Sequence, residues 1–215
     1  MIHDDQKSSK RKQIVLCIGD SITFGYGVME NRDTDSYPAL LSNLLGDDFY
    51  VLNYGMNGLC ALRTGRAPYN ECPLYEDSLK VDADVCLILL GTNDAAEYNW
   101  EGAGPEGIHF KNDLKALVTS YQNMPSHPKV FLMTPPEALD ISHCELFAQV
   151  SQNLDQFCRK LVQDVAIETG AYLIDLYPAT KGRSDLLPDG IHPNKEGNEV
   201  LVRVIYEKLK EVLGL

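Results

Sequence analysis

Ser21 stands at the end of the apolar, β-branched run Ile14 to Gly19, inside the stretch Ile14 to Thr23, so a buried strand delivers its hydroxyl to a turn. A serine hydroxyl is a weak nucleophile until a positioned base takes its proton. Near the other end of the chain, Asp189-Gly190-Ile191-His192-Pro193 offers that base. Its carboxylate and imidazole are three residues apart, close enough for Asp189 to orient His192 and stabilise its charged form. Acyl transfer also needs donors for a developing oxyanion. Gly58, the side-chain amide of Asn93 and the backbone N–H of Ser21 are the candidates. Asn93 in Gly91-Thr92-Asn93-Asp94 supplies a neutral donor where a carboxylate would repel the oxyanion, and at Gly58 the missing Cβ lets a substrate approach the main chain.

These residues need a frame that brings both ends of the chain together. Four further short runs read as strands: Phe49 to Asn53, Val85 to Leu90, Lys129 to Met133 and Ala171 to Leu176. Helical patterns lie between them, at Tyr37 to Leu45, in part of Asp77 to Val81, at Lys111 to Tyr121 and at Glu145 to Thr169, with Lys195 to Leu213 last. Alternation of this kind predicts an α/β fold, a parallel sheet with helices on both faces. Right-handed crossovers put the carboxyl ends of all strands on one edge, where ligands bind in open sheets. The candidates all follow strands: Ser21 the first, Gly55 and Gly58 the second, Asn93 the third, Pro135-Pro136 the fourth, Asp189 and His192 the fifth. The Gly-rich stretch Glu101 to Gly107 is expected as a mobile rim of the pocket.

The 215 residues suit one domain with a single core, read as 13–215 behind a flexible polar tail over 1–12. A net charge of −12 opposes the counterion release that drives nucleic-acid binding, so no nucleic-acid partner is expected. No apolar run approaches the ~20 residues that span a bilayer, and the polar start lacks a secretory signal's apolar centre. The expectation is therefore a cytoplasmic protein without a membrane partner; its oligomeric state is left open. Cys17, Cys60, Cys72, Cys86, Cys144 and Cys158 show no C-x-x-C pairing and are read as reduced structural residues. The acidic residues Asp33, Asp35, Asp47 and Asp48 lack calcium-loop spacing, and no metal or cofactor is expected. His109, His127 and His143, without a carboxylate partner in sequence, are read as surface residues.

In order along the chain, Gly19-Asp20-Ser21-Ile22, Asn53-Tyr54-Gly55-Met56-Asn57-Gly58, Gly91-Thr92-Asn93-Asp94 and Asp189-Gly190-Ile191-His192-Pro193 resemble the four blocks of the SGNH (GDSL) hydrolase superfamily. Ile22 replaces the Leu of the GDSL name, a volume-conserving change. The resemblance implies a flavodoxin-like three-layer α/β/α sandwich with five parallel strands. It also implies a serine esterase with Ser21, His192 and Asp189 as triad, and Ser21, Gly58 and Asn93 as oxyanion hole. The segment Gly58 to Tyr75 with Arg63, Gly65, Pro68 and Tyr69, then Asn93-Asp94 and Asn99-Trp100, looks like the sialate O-acetylesterase-like branch. Thr134-Pro135-Pro136 and Leu187-Pro188-Asp189-Gly190 fit that branch too. This implies removal of a small acyl group, acetyl foremost, from a sugar hydroxyl.

Several residues carry two readings. Arg63 and Arg66 are either solvated surface charges or a fork for a sugar carboxylate. Tyr69 and Trp100 either stack on a sugar or pack under a loop. Asp94 either caps a helix or contacts substrate, and Pro135 is a candidate lining residue. Asp20 is read as structural and Gly55 as a turn former. A wider apolar cleft around the same site would make a lysophospholipase or thioesterase. The same blocks could also serve an acyltransferase that excludes water or, without turnover, a carbohydrate binder.

Overall fold

The computed structural model describes residues 11–141 and 145–215. Five strands, β1 (Gln13–Gly19), β2 (Phe49–Gly55), β3 (Val85–Leu89), β4 (Lys129–Met133) and β5 (Tyr172–Ile174), form one sheet in the order β2-β1-β3-β4-β5. Every neighbouring pair is parallel. The expected five-stranded α/β sandwich is what the chain forms. Strand order reverses between β1 and β3, so their carboxyl ends part and leave a crevice at that switch point.

Near-continuous apolar strands follow from burial on both faces. In β1 and β3, Leu16, Ile18, Cys86 and Ile88 point into one core, packed by the helices Ile108–Gln122 and Arg159–Thr169. Val15, Cys17, Val85, Leu87 and Leu89 point into the other, closed by Tyr37–Leu45 and Lys195–Leu213. Both outer layers are thus specified by period-two alternation within single strands.

Three elements differ from expectation. The short helix runs over Pro73–Ser78, so it takes in only Asp77 and Ser78 of the expected segment and starts earlier, at Pro73, where a missing N–H costs nothing. The long helix from Glu145 is interrupted by one π turn, Leu154–Cys158, before it resumes at Arg159. Glu101 to Gly107, expected as a loop, is built from two short helical turns with Ala103 and Gly107 buried. A Cβ at Gly107 would stand 2.6 Å from Leu161 and 2.8 Å from Trp100.

Of the expected tail, 1–10 lies outside the described residues, as do His143 and Cys144. Arg11 and Lys12 are held: Arg11 donates to Asp84 at 2.8 Å, and the Lys12 ammonium sits 4.6 Å over the Tyr50 ring. The other five cysteines are buried free thiols. Among the described residues, no helix is long and apolar enough to cross a membrane.

Candidate active site

The nucleophile turn is fixed by close packing at the sheet edge. Gly19 ends β1, and a Cβ there would meet Thr23 Oγ1 at 2.1 Å and the Leu89 carbonyl at 2.6 Å. Gly55, at the end of β2, is equally constrained, with Phe24 N 2.4 Å from the Cβ position. Gly55 therefore serves close approach of strand and turn, not the tight turn expected of it. Asn53 adds a polar tie, donating from Nδ2 to the Thr23 carbonyl at 2.8 Å while its Oδ1 accepts from Gly55 N. The short helix Ser21–Phe24 then starts with Asp20 as its cap, Oδ1 accepting from Ile22 N at 2.9 Å. Ser21 N–H lies in that first turn, where backbone donors have no intrahelical partner.

The other end of the chain meets this turn. Ser21 Oγ lies 2.9 Å from His192 Nε2, and His192 Nδ1 lies 2.6 Å from Asp189 Oδ2. Asp189 Oδ1 accepts from the backbone N–H of His192 at 2.7 Å and of Ile191 at 3.0 Å. Partial burial opposes ionisation of Asp189, yet these bonds and the imidazole prevail and hold its carboxyl at about 2. It is thus an anion at any pH where imidazole works as a base. The base loop is anchored twice. Gly190 accepts from Leu139 N at 2.7 Å, and buried Asn198 donates to the Pro193 carbonyl at 2.9 Å while accepting from Tyr37 N.

The oxyanion side is knitted through main chain. Gly58 follows β2 with φ +80, a conformation that favours glycine, and no protein atom lies within 4 Å of its Cβ position, so this backbone is open to a ligand. Asn93 Nδ2 donates to the Leu59 carbonyl at 3.0 Å, which leaves its second hydrogen for the site. Met56 N donates to the Gly19 carbonyl at 3.1 Å, joining the Gly58 loop to the strand that carries Ser21.

The remaining candidates fall elsewhere. Asp94 is fully buried, Oδ1 accepting from Leu62 N at 2.7 Å and Oδ2 from Ala61 N at 3.0 Å. It fixes the loop behind Gly58 and is not free to contact substrate; burial pushes its carboxyl up to about 6. Tyr69 is fully buried with its hydroxyl on the Tyr54 carbonyl, so it offers no stacking face. Trp100 packs between Phe157 and Phe110, ring centroids 5.6 and 6.0 Å away. Pro135 is buried against Gly91, its carbonyl accepting from Arg159 Nε. Arg63 is exposed, its Nε 3.8 Å from Asp113 Oδ1. Arg66 is exposed, its guanidinium 3.9 Å over the Tyr98 ring.

Two supporting residues went unread in the sequence. Asn198 sits on an ordinary helix face. Arg159 looks like a surface cation, yet it is buried and donates to the carbonyls of both Pro135 and Pro136.

A hydrogen-bonded Ser21, His192 and Asp189 at the switch point of the sheet fits the outcome of comparison with known proteins. Residues 17–200 match the profile of the GDSL-like Lipase/Acylhydrolase family. The chain belongs to that family. An acetylxylan esterase from Xylanibacter ruminicola is 30% identical over 214 residues, covering 91% of this chain and 43% of that protein. A multidomain esterase from Ruminococcus flavefaciens is 28% identical, covering 62% of this chain and 16% of that protein. The chain thus spans less than half the length of these curated relatives. Among solved structures, a carbohydrate acetylesterase from Sinorhizobium meliloti superposes with a TM-score of 0.74 at 20% identity, covering 94% of this chain and all of the other. The acetylxylan esterase Axe2 from Geobacillus stearothermophilus gives 0.70 at 21% identity, covering 93% and 94%. At such identities the two structures establish the fold alone.

Proposed function

We propose that this GDSL-family protein is a serine acetylesterase that removes acetyl groups from a carbohydrate through an acyl-enzyme, without cofactor. The observation that carries the reading is the unbroken relay from Ser21 Oγ through His192 to an ionised Asp189. Ser21 Oγ attacks the ester carbonyl while its proton passes to His192 Nε2. The carbonyl oxygen, now negative, is held by the N–H groups of Ser21 and Gly58 and by Asn93 Nδ2. The tetrahedral adduct collapses as His192 returns the proton to the departing sugar oxygen. Water, deprotonated by His192, then attacks acetyl-Ser21; the second adduct collapses as His192 gives that proton to Ser21 Oγ, and acetate leaves. Asp189 remains an anion throughout and stabilises the imidazolium.

The sugar and the acetyl group are supported by the relatives' names, which point to acetylated xylan and other carbohydrates. Neither names sialate. The test is acetate release from acetylated xylo-oligosaccharide by wild type and Ser21→Ala, with fluorophosphonate labelling alongside. Turnover should fall on the order of 10⁴- to 10⁶-fold in the variant, and labelling should vanish with it. Retained turnover would remove Ser21 from its role. A rate on nitrophenyl esters rising from acetyl to octanoyl would replace acetyl with a longer acyl chain.

A further inference from the structure

The reaction itself dictates where the alcohol has to sit. His192 Nε2 protonates the departing oxygen, so the sugar ring bearing that oxygen lies on the imidazole side of the reacting carbon. The Gly58 and Asn93 donors serve the carbonyl oxygen on the other side. Arg66 and Tyr98 belong to that second side, because Arg66 N is tied to Asn99 Oδ1, and Asn99 Nδ2 to the Asn93 carbonyl. Their exposed stack is therefore not where a leaving sugar has to rest.

On the imidazole side stands one aromatic face that none of the sequence motifs contains. The Tyr26 ring centroid is 4.6 Å from that of His192, the planes tilted by 48°, and Tyr26 is 48% exposed. Tyr26 opens the short helical turn Tyr26–Asn31, which lines a cleft of about 450 Å³ together with Asp35 and Lys195. That volume lies within the ~300–1,000 Å³ of small-molecule sites. The turn is locked to the base loop: a Cβ at Gly27 would stand 2.2 Å from the Pro193 carbonyl. Tyr26 thus keeps its place beside the imidazole.

Charge narrows the ligand. Lys195 Nζ is engaged by Asp35 at 3.4 Å, and Glu30 has no ion-pair partner among the described residues. The lining sets apolar Val28 and exposed Met29 beside polar Asn31 and a surplus of negative charge, which repels a uronate or sialate. A neutral pyranose, with an apolar C–H face and hydroxyls around its edge, matches an exposed tyrosine beside carboxylate acceptors.

We infer that Tyr26 and the cleft it opens form the alcohol subsite, which takes the acetyl-bearing ring and its neighbour in a neutral oligosaccharide. This rests on the carbohydrate acetylesterase reading above. The test compares kcat/KM for acetylated xylo-oligosaccharide with that for ethyl acetate, whose alcohol has no ring to stack. Tyr26→Ala should lower the sugar-to-ethyl ratio about tenfold, chiefly through KM, as befits loss of an aromatic contact. Tyr26→Phe, which keeps the ring, should stay within twofold of wild type. An unchanged ratio in Tyr26→Ala, or an equal loss on both esters, would overturn the subsite while leaving the acetylesterase reading intact. Wild type that hydrolyses ethyl acetate but no sugar acetate would overturn both.

Discussion

The two sides of the site are built differently. On the oxyanion side, the segments after β2 and β3 are stitched by buried polar bonds: Asp94 to Ala61 and Leu62, Asn93 to Leu59, Asn99 to Asn93. On the base side, the loop carrying Asp189 and His192 leaves Asp189 half exposed, and its neighbours Tyr26 and Met29 face solvent. The difference suits the proposed acyl transfer. An oxyanion is stabilised by dipoles that do not reorganise, which demands a rigid, satisfied backbone. The alcohol must enter and leave, which demands an open wall.

If rigidity on the oxyanion side matters, damage there should be expressed in turnover. Asn93→Ala removes one donor and should lower kcat on the order of 10²- to 10³-fold with little change in KM. An unchanged kcat would strike Asn93 from the oxyanion hole. Asp94→Ala tests the same wall one layer back. It strands the buried N–H groups of Ala61 and Leu62, each costing about 1–3 kcal/mol, and it loosens Gly58, for which displacement of about 1 Å can cost up to roughly 10²-fold in rate. A lowered Tm with full kcat would show that Asp94 holds the fold but not the donor geometry.

Much of this wall was legible in the sequence because it follows strands. Ser21, Gly58 and Asn93 each stand just past an apolar run, and the sheet topology brings those ends to one edge. Asp189 and His192 declared themselves by spacing. What escaped was whatever depends on packing across elements. Tyr69 and Trp100 carry the residue types of a sugar platform, yet their burial is decided by which helices cover them. Tyr26 sits in a short turn with no periodicity, and only the fold sets it against His192. Asn198 and Arg159 are single polar residues on amphipathic helices, and nothing in the sequence says that their partners are the carbonyls of Pro193, Pro135 and Pro136.

Beside Ser21 in the chain lies Asp20. It is fully buried, its Oδ1 holds Ile22 N, and its Oδ2 has no hydrogen-bond partner. Burial pushes its carboxyl up to about 7, helped by the negative charge of Asp94 and resisted by the Ile22 N–H and by His192. The folded protein therefore keeps a proton that the unfolded chain releases near pH ~4. Stability contributed by that proton is complete below about pH 4 and is lost as pH rises through about 7. Asp20→Asn retains the cap acceptor and has no proton to lose. Its Tm should decline less than that of wild type between acid and alkaline buffers, with kcat changed only a few-fold. Parallel Tm profiles would mean that Asp20 ionises as readily in the fold as outside it. The turn at Ser21 would then hold a buried carboxylate without the cost that burial imposes.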